Sequence, residues 1–388
     1  MNRRKFLVSS LATATMGSTF AAALARKASA ADPVRVGVLI PMSGPAGLFG
    51  PSCQNCANMA ANEINAKGGI DGRRVELVFA DVGGPPADAT QAALKLWKGE
   101  KVDAFVGMHD SAVRAALTGL FKGQVPYIYT PVYEGGECSP GTFVLGETPQ
   151  QQLAPVILWF NKERGASKWY LIGNDYNWPR DTNKAAKEYI NRFGGSVVGE
   201  EYLPFTVDNF DSSLAKIKDS GANAVLITLV GGASVGFSRA YQSFGLADQA
   251  MRLGTLIEEN TLLGIGAENS QNLYSSAGYF RNIDTPAAKE FAARYTKAFG
   301  ADAAVLNALG ESCYEGITFL DALATKAKSY DVKKMDRSSL GLTFSSPRGT
   351  STMIDRHVSQ DIFLAQADGV DFKVIETFKN VGPGNNCG

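Results

Sequence analysis

The sequence predicts an α/β fold built as two similar lobes, and three observations carry that prediction. Short apolar runs alternate with amphipathic stretches, the pattern of parallel strands joined by crossover helices. Two local patterns recur. The helix end and Gly-Gly turn at Asn62–Gly69 return 126 residues later at Tyr189–Gly195, and the approach to a strand at Gly99–Ala104 returns 120 residues later at Asp219–Ala224. Length is the third: without residues 1–30, 358 of the 388 residues remain, more than one ordinary core accommodates.

Residues 1–30 read as an export signal of the twin-arginine type. Arg3, Arg4 and Lys5 precede a weakly apolar stretch, and Ala28-Ser29-Ala30 is a small-residue cleavage site. Ser, Thr and Gly interrupt that stretch, whereas a membrane span needs ~20 mostly apolar residues. No cysteine precedes Cys53, so the expectation is an exported protein without a lipid anchor.

In chain order, strands are expected at 34–40, 75–79, 104–106, 127–129, 169–172, 197–202, 224–229 and 273–277. Helices are expected between them at 52–66, 87–98, 112–121, 151–163, 180–193, 210–220, 234–244 and 287–299. Each apolar run followed by a helix implies parallel strands with right-handed crossovers. Residues 344–349 form a turn-rich break. Short strands at 352–354, 362–366 and 372–377 then read as an antiparallel meander. The Gly/Asn-rich tail 380–388 is expected to be mobile.

Charge and cysteine narrow the function classes. The chain carries 38 basic and 38 acidic residues; the signal segment holds five of the basic ones, leaving a net charge of about −5, which argues against nucleic acid as a partner. Five cysteines (Cys53, Cys56, Cys138, Cys313, Cys387) in an oxidising compartment predict at least one disulfide, with an odd thiol left over. One CxxC and two histidines make no metal site, and no metal or cofactor is expected.

Parallel α/β lobes bind ligands at the carboxyl ends of their strands, so the loops there hold the candidate residues. Gly107-Met-His-Asp-Ser111 offers His109 and Ser111. Ser111 is placed either as a helix N-cap or as a hydroxyl facing a ligand. Tyr129, Thr130 and Tyr133 follow the next strand, and Tyr176 follows the one after. Glu258 and Glu259 stand before another helix, either capping it or accepting N–H groups from a ligand. Gly232-Ala-Ser-Val-Gly236 matches a hydrolase nucleophile elbow with Asp355 and His357 downstream. An acid and a histidine two residues apart fit a triad poorly.

Val36–Gly44, Ala61–Gly69, Tyr133–Ser139, Asp175–Arg180 and Ile283–Pro286 together resemble type I periplasmic solute-binding proteins of ABC importers. Within that class the chain is similar to the urea, short-chain amide and branched-chain amino acid receptors. The resemblance spans the mature chain. It implies two Rossmann-like lobes joined by a three-segment hinge, lobe I at 31–150 plus 280–346 and lobe II at 151–279 plus 347–388. It implies a monomer, free in the periplasm, that closes on a small polar ligand and passes it to inner-membrane permease subunits without chemistry. By motif, Ser111 would bond the ligand carbonyl or carboxylate, and Tyr129 and Thr130 would line one side. Tyr176 would close over the ligand and Glu259 would accept from it, while Gly231 belongs to the small-residue turn that accounts for the elbow match. A sensor of the same fold, or a secreted hydrolase using Ser234, are the alternatives.

Overall fold

The computed structural model describes residues 32–387. A first parallel run holds β1 (Val34–Ile40), α1 (Gly50–Ala66), β2 (Val75–Asp81), α2 (Pro86–Leu94), β3 (Ala104–Gly107), α3 (Ser111–Phe121), β4 (Tyr127–Tyr129) and β5 (Thr142–Val144). Its strands lie in the order β2-β1-β3-β4-β5. Helices shield both faces, so β3 and β4 are buried along their whole length and read as continuous apolar runs.

A second run follows: α4 (Pro149–Gln152), α5 (Ala154–Arg164), β6 (Lys168–Asn174), α6 (Asn177–Arg192), β7 (Ser196–Leu203), α7 (Asp211–Ser220), β8 (Ala224–Thr228), α8 (Gly232–Ser243), β9 (Met251–Gly254), α9 (Glu259–Ile265) and β10 (Leu273–Ala277). Its strands lie in the order β7-β6-β8-β9-β10, which repeats the first run strand for strand. The helix expected at 151–163 is two helices. Thr148 and Gln151 form a capping box that starts α4, and Pro155 in the first turn of α5 forces a break at Leu153.

Three helices, α10 (Pro286–Phe299), α11 (Ala308–Ala327) and α12 (Val332–Ser339), precede β11 (Thr343–Ser346), β12 (Gly349–Ile354), β13 (His357–Asp368) and β14 (Asp371–Val381). The meander is longer than its sequence pattern. β13 begins beside β5, with His357 opposite Val144, and continues antiparallel to β10, with Gln366 opposite Tyr274. One strand thereby joins both parallel runs. β14 pairs antiparallel with β13 through the turn at Gly369.

The tail departs from expectation. Cys138 and Cys387 form a disulfide, and three thiols remain, Cys53, Cys56 and Cys313, all buried. Burial pushes the Cys53 and Cys56 thiols up, since no cation stabilises a thiolate there. Asn386 Oδ1 also accepts from Gly136 N at 3.2 Å, so the tail through Cys387 is tied down. The signal segment lies outside the described residues. Among those described, no helix is long and apolar enough to cross a membrane and no group of side chains could hold a metal ion.

Candidate functional site

The strand ends converge on a cavity of about 400 Å³. Pro41, Ala46 and Phe49 come from the segment after β1, Met108 to Ser111 from the loop after β3, and Tyr129, Pro131 and Val132 from β4 and its loop. Tyr176, Trp178, Val230 and Leu256 come from the second run, and Leu309 from α11. Four of the predicted residues therefore line this one cavity: His109, Ser111, Tyr129 and Tyr176. A second cavity of about 370 Å³ shares Pro131, Val132, Leu256 and Leu309 with it and adds Thr130, Glu147, Gln152, Glu258 and Arg348.

Gly107 ends β3 because nothing larger fits: a Cβ there would stand 2.6 Å from His109 Nε2 and 2.9 Å from the Tyr127 ring. His109 is almost fully buried. Its Nδ1 lies 3.1 Å from Asp110 O and its Nε2 lies 2.8 Å from Tyr127 Oη. The network assigns the proton to Nδ1, which donates to the carbonyl, while Nε2 accepts from the tyrosine. Burial pushes the imidazole pKa down to about 4, so the ring is neutral at pH 7. Both nitrogens are occupied, and the ring meets the cavity as an aromatic surface. Tyr129 Oη donates to His109 O at 2.8 Å, which commits its proton too.

Ser111 is the first helical residue of α3, and Asp110 is the cap, accepting from Val113 N at 2.8 Å. The Ser111 hydroxyl donates to Glu134 Oε2 at 2.6 Å and accepts from Arg114 Nη1 at 3.1 Å. Arg114 and Glu134 form an ion pair at 2.8 Å, each side chain 7% exposed, and Glu137 accepts from Arg114 Nε at 3.2 Å. Burial opposes the guanidinium charge; the Tyr129 hydroxyl and then Glu134 and Glu137 favour it, and the net effect raises the Arg114 pKa. Ser111 is left with one lone pair and no free proton.

On the opposite wall, Tyr176 has the extended backbone of the α6 N-cap residue and packs 5.0 Å from the Phe205 ring. Trp178 is 2% exposed, and its Nε1 has no hydrogen-bond partner among the described residues. A buried N–H without an acceptor is rare and costly.

Four predicted residues sit elsewhere. Thr130 lines the second cavity, 3.1 Å from Ser312 Oγ. Tyr133 is outside both walls; its hydroxyl meets His357 Nε2 and accepts from Glu137 N at 3.2 Å, so it supports the loop. Gly231 is also outside the wall. At φ +53° it lets the turn approach the other run, where a Cβ would come within 2.1 Å of Pro45 O. Glu259 is the first residue of α9, buried, with Oε1 accepting from Arg281 N at 2.7 Å and Oε2 without a hydrogen-bond partner among the described residues. Burial, then the neighbouring Glu258 charge, pushes its carboxyl up to about 8. Glu258 takes the capping role, accepting from Thr261 N and Asn260 N.

The hydrolase constellation is not assembled. Ser234 Oγ donates to Leu229 O at 2.8 Å, and the His357 nitrogens face Tyr133 Oη and Asp355 O. Sequence reasoning did not single out Phe49, Arg114 or Asn177. Glu134 sits inside the Tyr-Glu-Gly motif, so its signal was present. Arg114 is three residues after Ser111, the spacing that puts both on one helix face.

Residues 33–371 match the family model described as periplasmic binding protein. A Leu/Ile/Val-binding protein homologue of Brucella melitensis is 30% identical over 378 residues, covering 92% of this chain and 95% of its own. A solute-binding protein of an ABC transporter from Rhodopseudomonas palustris HaA2, solved with p-hydroxybenzoic acid, is 26% identical with a TM-score of 0.84, covering 91% of this chain and 99% of its own. A branched-chain amino acid transporter substrate-binding protein from Streptococcus pneumoniae, solved with isoleucine, shares the fold at 20% identity and a TM-score of 0.79, over 90% of this chain and all of its own. A repeated parallel run, a strand common to both and a cavity at the strand ends thus have their counterparts in known proteins: this chain belongs to the periplasmic binding proteins, in the type I class that serves ABC transporters.

Proposed function

We propose that the protein captures a small ligand with an apolar, planar or branched body and a polar amide or carboxylate end, and delivers it to permease subunits of an ABC importer. The observation that carries this reading is the wall of the 400 Å³ cavity. Phe49, Tyr129, Tyr176, Trp178 and the neutral His109 ring supply aromatic surface from both parallel runs, and no lysine or arginine lines it. A wall of this composition suits an apolar-bodied ligand and is too apolar for urea. The Trp178 Nε1 donor suits a carbonyl or carboxylate oxygen. The remaining lone pair of Ser111 suits an amide N–H or a hydroxyl.

In this reading residues 31–150 plus 280–346 form lobe I and residues 151–279 plus 347–388 form lobe II. The lobes close over the ligand by bending at the three points where the chain crosses between them. The protein acts as a monomer free in the periplasm. The relatives' ligands, p-hydroxybenzoic acid and isoleucine, share the apolar body and the carboxylate, which supports the same chemical class here.

A thermal-shift panel of 4-hydroxybenzoate, benzamide, leucine, isoleucine, butyramide and urea tests the proposal. A ligand at one hundred times its Kd adds about 2.7 kcal/mol of stability. Shifts with an apolar-bodied amide or acid and none with urea are expected. A shift with urea alone, or none with any apolar-bodied compound, would overturn the reading.

A further inference from the structure

Asn177 Nδ2 donates to Glu134 Oε1 at 3.0 Å. The donor sits in the first turn of α6, one residue from Tyr176 and one from Trp178. The acceptor sits in the loop after β4, beside Ser111. This bond links the two parallel runs next to the cavity residues Ser111, Tyr176 and Trp178.

The two partners are held very differently. Glu134 is fixed at both oxygens: Ser111 donates to Oε2, Arg114 Nη2 donates to Oε1 at 2.8 Å, and the loop carrying it is pinned at several points. Tyr133 meets His357, Glu137 pairs with Arg114, Arg356 Nη1 donates to Cys138 O at 2.9 Å, and the disulfide binds Cys138 to Cys387. The tail itself returns from β14, which belongs to the sheet of the second run. Asn177 stands at the start of α6, and Glu134 is its one side-chain hydrogen-bond partner among the described residues. A carboxylate fixed in advance receives a neutral donor from the facing element, which makes this a hydrogen bond to a charge.

We propose that Asn177 and Glu134 form the latch that holds the cleft shut, with Glu134 as a preset strike plate and Asn177 as the part that moves. The disulfide strap keeps the plate in position. The proposal rests on the reading that the two runs are lobes that open and close, and it requires no knowledge of the ligand. Asn177 is a positioning residue: it sets the lobe equilibrium, which in turn sets the ligand on-rate and residence time.

Spin labels on Asp88→Cys and Ser212→Cys, exposed on α2 and α7, report the separation of the runs in ligand-free protein, since the three free native thiols are buried. Asn177→Ala is expected to move the distance distribution to longer separations. Asn177→Asp, which sets a carboxylate against Glu134, is expected to move it further. The double variant Cys138→Ser, Cys387→Ser, which removes the strap without freeing a thiol for the label, is expected to broaden it. Thermal stability of the Asn177 variants should stay near that of the parent, which separates a latch from a folding contact. Coincident distributions for the parent and both Asn177 variants would overturn the proposal. The distance readout stands apart from the solute panel, so a latch without a binding solute, or a binding solute without a latch, would be told apart.

Discussion

Ser111 gives its hydroxyl proton to Glu134 across 2.6 Å while accepting from Arg114 at 3.1 Å. The serine at the start of α3 is therefore one member of a buried charge network. Glu134→Ala leaves Arg114 buried with Glu137 as its one carboxylate partner. Breaking a buried pair from one side costs about 3 kcal/mol. Urea denaturation is expected to show a loss of that order for Glu134→Ala and less than half of it for Ser111→Ala. Equal losses would mean that the pair contributes little.

Trp178 carries a buried donor with no acceptor. Trp178→Phe removes the N–H and keeps most of the aromatic surface. The ligand-free variant is expected to match or exceed the parent in stability, because the desolvation cost of the orphan donor is gone. Affinity for an apolar-bodied acid or amide should fall by about 1 kcal/mol, or roughly fivefold. Calorimetric titration beside denaturant unfolding checks both halves; a less stable variant with unchanged affinity would refute the assignment.

His109 ties stability to acid. Its folded pKa is about 4 against 6.5 for the free side chain, so the unfolded chain takes up this proton first as pH falls. Its contribution is complete above pH 6.5 and is lost as pH falls towards 4, a span worth about 3 kcal/mol. His109→Gln has no such titration. The stability gap between parent and variant is expected to narrow steadily from pH 7 to pH 5 in denaturant titrations. A gap independent of pH would show that the imidazole is not held neutral.

The thiol count is equally direct. One disulfide and three buried thiols mean no reaction with a thiol reagent in the native state and three equivalents in denaturant without reductant. Five equivalents, or one, would contradict the pairing. Closing a chain segment of 249 residues adds about 5 kcal/mol in the chain-entropy description, so Cys387→Ser should unfold at a clearly lower temperature.

Much of this architecture was legible in the sequence because parallel strands buried on both faces write themselves as apolar runs. The weak repeat at Gly68-Gly69 and Gly194-Gly195 became two runs with one strand order. β5 and β9 were missed because three or four residues leave little pattern. β13 was read too short because polar residues such as Gln360 are buried where it crosses between the runs. In the cavity, His109, Ser111, Tyr129 and Tyr176 were legible as strand-end loop residues. Glu259 and Tyr133 lie outside this cavity's lining, because position in a loop does not say which way a side chain is taken. Glu258 competed for the helix N-terminus and His357 for the tyrosine hydroxyl. Arg114 and Asn177 act through partners distant in sequence, and no local pattern announces such pairs.

The central claim is that one small ligand lies between the two runs, against Tyr176. Calorimetric titration of the best compound from the solute panel into the parent and into Tyr176→Ala tests it most directly. The account expects one site per chain in the parent and at least a tenfold weaker Kd in the variant, about 1.4 kcal/mol or more. Equal affinity in the two proteins would place the ligand elsewhere and contradict the account.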